Sequence, residues 1–284
     1  MISHSRPWIT EMDNSAIMEV IRSEQILSGG FTELFINKLQ NIYGYTGIQL
    51  MSSGKNAIKS ALSIVKKKTS KREVILPTYV CSEVYEAVIS EDFIPVLCDN
   101  DNDWTMSRET VERHFNKNTA AIIIVSIFGI NVDALDFKDL NCFIINDLCQ
   151  NFDALYDSKK YLGDFIILSF HPTKCFTALG GGAIISCFPD EYSQPITSEG
   201  WNDVMSKLAI TQLDRYSIFQ QKRKKIAQKY FRELPLKLCT KIASQKSSFY
   251  RFPLWIENGY KYETTRSFFE KHNIAVRRGV DELL

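Results

Sequence analysis

The chain has 284 residues, of which 45% are hydrophobic and 24% are charged, and its formal net charge is +1. This composition is typical of a globular enzyme with a large buried core, in one large domain or one with a small appendage. The near-zero net charge gives no indication of a nucleic-acid partner or a membrane surface. The basic cluster at residues 66–72 precedes a predicted strand and is interpreted as a solvated helix end.

The N-terminus lacks the apolar core of a signal peptide, and no apolar run reaches the roughly 18 residues that span a bilayer. We therefore expect a cytoplasmic protein. The seven cysteines are an odd number and show no CxxC motif and no clustering with histidine. This pattern favours reduced thiols over disulfides or a metal site.

Strands alternate with helices up to about residue 195, which predicts an α/β fold with a largely parallel sheet. Residues 56–65 and 81–90 are predicted helices, and residues 205–234 predict one long amphipathic helix. Short apolar runs predict strands at residues 74–76, 95–98, 120–128, 142–145, 165–170 and 183–186. In such sheets ligands lie beyond the carboxyl ends of the strands, so the residues that follow each apolar run are the candidate site residues.

Lys174 follows one predicted strand and precedes three glycines, in the segment FIILSFHPTKCFTALGGGAII. Three hypotheses are open. A solvated surface lysine is the commonest case, but apolar runs flank this one, and an amine between buried strands must pair, shift its pKa or react. A phosphate loop is disfavoured because the Walker pattern places its lysine after the glycines. The third hypothesis is a lysine presented at a tight turn for covalent attachment to a cofactor.

Two other segments carry candidate binding groups. Asp147 follows the apolar run at 142–145, and it is either a helix cap or turn residue, or a buried carboxylate that faces a cationic ring. Ser52, Ser53 and Gly54 lead directly into a predicted helix, whose free N–H groups are able to hold a phosphate. Ser-Gly before a helix is common, so this motif alone does not identify a phosphate site.

Taken together and in order, these segments resemble a known family. The order is SSGKNAIKSAL, VILPTYVCSEV, PVLCDND, AIIIVSIFG, IINDLCQNF, LSFHPTK with GGGAII, and EGWNDVMSKLAITQLDRYSIFQQKRKKIAQKYFREL. The chain resembles the DegT/DnrJ/EryC1/StrS sugar aminotransferases from Arg6 to at least Arg278. The resemblance implies a pyridoxal-phosphate enzyme of the aspartate aminotransferase fold, with a three-layer α/β/α large domain and a mostly parallel mixed sheet.

The resemblance also implies a role for each matching residue. Lys174 would form the internal aldimine with pyridoxal 5'-phosphate, with pyridoxamine phosphate as the reaction intermediate, and would shuttle the proton between carbons. Asp147 would pair with the protonated pyridine nitrogen. Gln150 would lie near the ring hydroxyl, and His171 would be a structural or cofactor-proximal hydrogen-bonding group.

The phosphate would be held by Ser169 and by the helix start at Gly54, Lys55 and Asn56. The resemblance further implies that Asn202 reaches the phosphate of a neighbouring subunit. We therefore expect a homodimer with shared active sites.

Three positions depart from the family pattern. Lys55 replaces a threonine, so only its backbone contact carries over, and its side chain is either a substitute cation or a surface group. Cys81 stands where many members have an aromatic residue stacked on the cofactor ring, with Tyr79 two residues earlier. Val204 replaces an arginine in the family's Gly-x-Asn-x-Arg segment.

The sequence ends at Leu284, earlier than members of the family commonly do. We expect a cofactor-binding large domain with its N-terminal arm at residues 1–195. Residues 196–284 are then expected to hold the long helix and a shortened C-terminal small domain.

The main functional hypothesis is transfer of an amino group, from glutamate, to a keto group of a nucleotide-linked sugar, for surface polysaccharide or amino-sugar biosynthesis. A catalytically reduced or non-catalytic homologue that acts as a binding or regulatory subunit is the alternative, and an aldolase or decarboxylase on the same fold is a third. Dehydration is disfavoured, because dehydratase relatives replace the lysine with histidine, whereas Lys174 is present here and His171 lies three positions earlier.

Overall fold

The structure is a computed structural model that describes residues 1–27, 29–101, 104–152, 161–191, 200–234, 247–254 and 262–277. The helices are α1 Glu11–Ser23, α2 Phe31–Tyr43, α3 Gly54–Lys68, α4 Ser82–Ser90, α5 Arg108–Glu112, α6 Asp203–Asp214, α7 Tyr216–Glu233 and α8 Tyr262–Lys271. The strands are β1 Gly47–Met51, β2 Glu73–Pro77, β3 Ile94–Cys98, β4 Thr119–Val125, β5 Phe143–Asp147, β6 Phe165–Ser169 and β7 Gly182–Ser186.

The described strands form one seven-stranded sheet in the order β1-β7-β6-β5-β4-β2-β3. Strand β7 is antiparallel to both of its neighbours, and the pairs among β2 to β6 are parallel. This arrangement confirms the predicted α/β class and the mostly parallel mixed sheet. Because β2, β4, β5 and β6 run the same way, their carboxyl ends meet at one edge of the sheet.

Helices cover both faces of the sheet. Successive strand residues point to opposite faces, so alternate side chains of one strand pack in different clusters. Ile167 and Ile184 pack in one buried cluster with side chains of α3 and α4. Ile166 and Ile185 point the other way and pack in a second cluster with side chains of α2, α6 and α7. The continuous apolar runs of β4, β6 and β7 are therefore strands that are buried on both faces, whereas the edge strand β3 is partly exposed.

The sequence analysis did not predict α1, α2, α5, α8 or β1, and two predicted elements differ most from the structure. The predicted strand at 120–128 ends at Val125, because Phe128 adopts a left-handed conformation, with φ 56°, inside a short 3₁₀ turn. The predicted helix at 205–234 was wrong as one element. It is two helices, α6 and α7, which meet at Arg215.

The break at Arg215 results from contacts with residues that are distant in the chain. Its guanidinium pairs with the buried carboxylate of Asp13 in α1 and donates to the Thr10 hydroxyl at 2.7 Å. Asp13 also accepts the Gln212 amide at 2.9 Å, at the last turn of α6. A buried carboxylate needs these partners, so the chain bends where Arg215 reaches it.

The N-terminal arm packs on the second part of the chain. Helices α1 and α2 both contact α6, and Asp203 of α6 accepts the backbone N–H groups of Phe31 and Thr32 at the start of α2. Further along, Ile2 forms a bridge with Ile274, just after α8. The predicted domain boundary at residue 195 lies outside the described residues and stays a prediction. None of the described helices is long and apolar enough to cross a membrane.

Candidate active site

Lys174 lies in the connection between β6 and β7, on a loop fixed by its own hydrogen bonds. Its backbone N–H donates to the His171 carbonyl at 2.9 Å. The Thr177 hydroxyl donates to the Phe170 carbonyl at 2.9 Å, and Phe170 and Phe176 are buried. The packed loop therefore holds the lysine in one position at the end of the parallel strands, as the hypothesis of a cofactor lysine requires.

The glycines that follow Lys174 allow neighbouring segments of the chain to pack closely against the loop. A β-carbon added at Gly182 would lie 2.6 Å from the Leu168 carbonyl oxygen and 2.7 Å from the Gly54 nitrogen. One added at Gly181, where φ is 81°, would lie 2.3 Å from the ring of Trp201. The glycines therefore let the start of α3 and the Trp201 ring approach the backbone of the loop.

Asp147 ends β5 and is buried, with 6% of its surface exposed. Its carboxylate accepts the Cys149 N–H at 2.9 Å. Burial opposes the charged form of Lys174, but Cys149, Tyr250 and Asp147 favour it more strongly, so the pKa of Lys174 lies above its ordinary value. Burial also raises the pKa of the Cys149 thiol well above its usual range.

The start of α3 lies beside the end of β6. The Ser53 hydroxyl caps the helix by accepting the Asn56 N–H at 3.1 Å, and the Asn56 side chain donates to Ser52 at 2.6 Å. The Gly54 and Lys55 N–H groups have no acceptor within the helix, by helix geometry. A β-carbon added at Gly54 would lie 3.2 Å from the Ser169 β-carbon, so the Ser169 side chain stands next to these amides. This arrangement is typical of an anion site.

The Lys55 side chain takes a different direction from its backbone. Its ammonium pairs with Glu86 of α4, and that pairing raises the pKa of Lys55. The structure therefore favours the surface interpretation of this side chain.

Gln150 ties three segments together. Its side-chain oxygen accepts the N–H of Phe128 at 2.8 Å, and its backbone carbonyl accepts the hydroxyl of Ser248 at 3.2 Å. The same carbonyl accepts the Cys175 thiol at 3.5 Å, one residue from Lys174. The side-chain oxygen is thus committed to the turn at Phe128, and the amide nitrogen is the remaining donor.

An aromatic cluster follows β2. The Tyr79 ring centroid lies 5.3 Å from that of Trp104 and 6.0 Å from that of Phe128. Trp104 and Phe128 were not expected at the site from the sequence, because Trp104 comes three residues after the PVLCDND segment and Phe128 was placed inside the predicted strand at 120–128. Cys81 is the N-cap of α4, with no side-chain capping bond. The stacking role of Tyr79 or Cys81 stays a prediction.

His171 and Asn202 both hold local structure. The exposed His171 ring lies 3.0 Å from the Thr173 hydroxyl, within the lysine loop. Asn202 caps α6 by accepting the Met205 N–H at 3.1 Å, next to Trp201. The role of His171, structural or cofactor-proximal, stays a prediction. The reach of Asn202 into a second subunit stays a prediction.

Three residues near Lys174 were missed from the sequence. The Tyr250 hydroxyl donates to the Thr173 carbonyl at 2.7 Å, and Arg251 donates to that hydroxyl at 3.1 Å. Arg223 of α7 donates to the Cys175 carbonyl at 2.9 Å. These contacts join residues 48 and 77 positions apart in the chain, and no local motif marks such pairs.

The residues present fit pyridoxal phosphate. Its aldehyde needs an amine, its pyridinium needs a carboxylate, and its phosphate needs N–H and O–H donors. Lys174, Asp147, and the Ser169 hydroxyl with the open amides of α3 supply these groups around one end of the sheet. The Asp147 carboxylate is buried and accepts the Cys149 N–H, and a buried carboxylate suits a cationic partner.

A model of the DegT/DnrJ/EryC1/StrS aminotransferase family matches residues 7–194. The chain belongs to this family. GDP-perosamine synthase of Escherichia coli O157:H7 is 26% identical over 254 residues, covering 79% of this chain and 69% of that relative. The structure of PseC from Helicobacter pylori, an aminotransferase involved in the biosynthesis of pseudoaminic acid, matches with a TM-score of 0.88 at 20% identity, covering 99% and 85% of the two chains.

A third similar protein carries the cofactor. The structure of an E. coli GDP-4-keto-6-deoxy-D-mannose-3-dehydratase with bound hydrated PLP matches with a TM-score of 0.82 at 16% identity, covering 100% of this chain and 87% of that one. At these identities the structures show a shared fold, which serves both amination and dehydration. Membership of the DegT/DnrJ/EryC1/StrS family confirms the expected aminotransferase class, with pyridoxal phosphate as its cofactor.

Proposed function

We propose that this protein is a pyridoxal-phosphate aminotransferase that moves an amino group from glutamate to a keto group of a nucleotide-linked sugar. The observation that carries the proposal is the placement of Lys174 at the strand end, with Asp147 and the open start of α3 beside it, in a chain of this aminotransferase family. The relatives that act on nucleotide-linked sugars support the substrate class.

Each residue has a defined task. When bound, pyridoxal phosphate supplies a carbonyl that accepts the amino group and a ring that delocalises negative charge. Lys174 anchors the cofactor covalently. Asp147 would stabilise a positive charge on the ring nitrogen, and Ser169 with the Gly54 and Lys55 amides would hold the phosphate, helped by the helix dipole.

Lys174 also moves the proton. The Lys174 amine would take a proton from the donor α-carbon and later deliver one to the acceptor carbon that receives nitrogen. Burial of the loop around Phe170 and Phe176 keeps this amine in place and limits its contact with water. In the full cycle glutamate becomes a keto acid, and the keto sugar becomes an amino sugar.

We also propose a cytoplasmic homodimer in which Asn202 contributes to the partner's phosphate site. The apolar side chains Met12, Met18 and Ile21 of α1 are exposed, which is consistent with a surface that a second subunit covers. This surface lies next to α6, the helix that Asn202 caps. Biosynthesis from glutamate and a nucleotide sugar suits the cytoplasm.

The test uses ¹⁵N-labelled glutamate and a panel of keto sugars linked to UDP, GDP and dTDP. The purified holoenzyme is compared with Lys174→Ala and with Lys67→Ala, which removes an exposed lysine of α3. We expect label in one amino-sugar product for the wild type and Lys67→Ala, and none for Lys174→Ala. A wild-type protein that holds the cofactor but transfers no label to any acceptor would favour the non-catalytic alternative.

A further inference from the structure

The peptide unit that leads into Lys174 is bonded at both of its polar groups. Its N–H, which belongs to Lys174, donates to the His171 carbonyl at 2.9 Å, within the same loop. Its carbonyl, which belongs to Thr173, accepts the Tyr250 hydroxyl at 2.7 Å, from 77 positions further along the chain. Because a peptide unit is planar, these two bonds fix its orientation. The backbone at the lysine therefore depends on a residue that lies outside the loop.

Tyr250 lies on a segment, residues 247–251, that is attached to the carboxyl edge of the sheet. The Ser248 N–H donates to the Gly129 carbonyl at 2.8 Å, just after β4, and the Ser248 hydroxyl donates to the Gln150 carbonyl at 3.2 Å, just after β5. A β-carbon added at Gly129 would lie 2.2 Å from that hydroxyl oxygen and 3.0 Å from the Tyr250 nitrogen, so this glycine allows the close approach. The ends of two parallel strands therefore hold the segment in place.

The Tyr250 hydroxyl is bonded on both sides, which fixes its direction. A carbonyl only accepts, so the hydroxyl donates its hydrogen to Thr173, and its oxygen accepts the Arg251 guanidinium at 3.1 Å. The same guanidinium lies over the Tyr250 ring, 4.2 Å from its centroid, and donates to the Ser5 hydroxyl in the N-terminal arm. The hydroxyl hydrogen is therefore directed at the Thr173 carbonyl.

The backbone after the lysine is held separately from the backbone before it. The Cys175 carbonyl accepts the Arg223 guanidinium at 2.9 Å, and the Cys175 thiol donates to the Gln150 carbonyl at 3.5 Å. Tyr250 performs the corresponding task on the other side of Lys174. Loss of the Tyr250 hydroxyl would leave the loop packed and the Cys175 bonds intact, but would free the peptide unit from which the lysine side chain starts.

We propose that Tyr250 is a positioning residue for Lys174. By holding the Thr173 carbonyl, its hydroxyl sets the direction from which the lysine amine approaches the carbons between which it moves a proton. The inference rests on the proposed function, in which Lys174 performs that transfer. A base has to lie within hydrogen-bond reach of the proton that it takes, so a small displacement of the amine slows the transfer steeply.

The test uses Tyr250→Phe, which removes the hydroxyl and keeps the ring. The matched control is Tyr230→Phe, which removes a hydroxyl from an exposed ring that packs against Phe252. Hydrogen exchange of the peptide that covers residues 170–177 is measured in the cofactor-free and the loaded protein. A single turnover of the loaded protein is then timed with glutamate and with glutamate deuterated at its α-carbon. Thermal unfolding and the cofactor absorption band show whether each variant is folded and loaded.

We expect exchange in this peptide to be about five-fold faster in Tyr250→Phe than in wild type, because the Thr173 carbonyl loses its partner. The single turnover should slow by about ten-fold or more, and its deuterium isotope effect should rise, because the displaced amine makes proton transfer the slow step. A smaller folded or loaded fraction would not raise the isotope effect, so this readout separates positioning from a merely structural role. Tyr230→Phe should match wild type in both measurements.

A folded, loaded Tyr250→Phe variant with the wild-type rate and isotope effect would overturn the proposal. Faster loop exchange without a change in rate would overturn it too, since Tyr250 would then hold the loop with no effect on the lysine. If wild type transfers labelled nitrogen and Tyr250→Phe behaves identically, the proposed function stands and this inference fails. If wild type takes up no cofactor or transfers no label, the proposed function fails, and this inference fails with it.

Discussion

Gly182 lies so close to Gly54 that a β-carbon added to Gly182 would stand 2.7 Å from the Gly54 nitrogen. The first residue of β7 therefore sets how near the start of α3 approaches the end of β6. The two open amides of α3 and the Ser169 hydroxyl lie close together for this reason, and the proposed phosphate site depends on the pair of glycines.

Substitution of Gly182 by alanine should therefore weaken cofactor binding. The added methyl group pushes α3 away from Ser169 and separates the donors, and we expect affinity for pyridoxal phosphate to fall by about ten-fold or more. Fluorescence titration of the cofactor-free protein measures this. Gly180→Ala is a matched control, because Gly180 does not have a positive φ and the nearest atom to a β-carbon added there would be the Met205 ε-carbon, at 3.9 Å. Equal cofactor affinity in Gly182→Ala and wild type would refute the link.

Asp147→Asn tests the carboxylate without removing its structural bond. The asparagine oxygen still accepts the Cys149 N–H, but the side chain no longer carries a charge to hold a cationic ring nitrogen. We expect cofactor affinity to fall by about ten-fold or more and nitrogen transfer to fall further. Asp136→Asn, at an exposed position, is the control. The measurement is a cofactor titration followed by the labelled-nitrogen assay, and wild-type transfer by Asp147→Asn would remove Asp147 from the mechanism.

The buried pair of Asp13 and Arg215 should carry a measurable part of the stability. Burial alone would raise the pKa of Asp13, but hydrogen bonds from Arg215, Thr10 and Gln212 lower it below its ordinary value. A lowered folded pKa stabilises the protein above the unfolded pKa of about 3.9, and this contribution is lost as the pH falls through the folded pKa.

We expect Asp13→Asn to lower the free energy of unfolding by about 3 kcal/mol at neutral pH, because it leaves the arginine without its counter-ion. The difference from wild type should shrink in acid. Urea unfolding at several pH values measures both effects. Glu270→Gln, which breaks the exposed pair with Arg266, should cost less than about 1 kcal/mol. An Asp13→Asn variant as stable as wild type at pH 7 would contradict this account.

Cofactor attachment to the cofactor-free protein should speed up as pH rises. The pKa of Lys174 lies above its ordinary value, so most of this amine is protonated at neutral pH and the reactive neutral fraction grows about ten-fold per pH unit below the pKa. Stopped-flow absorbance from pH 7 to 10 follows the rate. A rate that is flat across this range would show that Lys174 is already neutral in the free protein.

Much of the site could be predicted from sequence because its groups follow strands. Lys174, Asp147 and Ser169 each stand where a continuous apolar run ends, and parallel strands bring those ends together. The helix junction at Arg215 could not be predicted, since the apolar pattern continues through it and the break depends on Asp13, far away in the chain. Arg223 and Tyr250 were missed for the same reason, because tertiary packing alone brings them to the lysine loop.

The central claim is that Lys174 is the residue that holds pyridoxal phosphate. Borohydride reduction of the loaded protein, digestion and mass spectrometry of the peptides locate the attachment directly, with Lys55 as an internal comparison since its side chain pairs with Glu86. The account predicts one pyridoxyl group per chain, on the peptide that contains Lys174, and none in Lys174→Ala. A protein that takes up no cofactor, or that carries it on another lysine, would contradict the account.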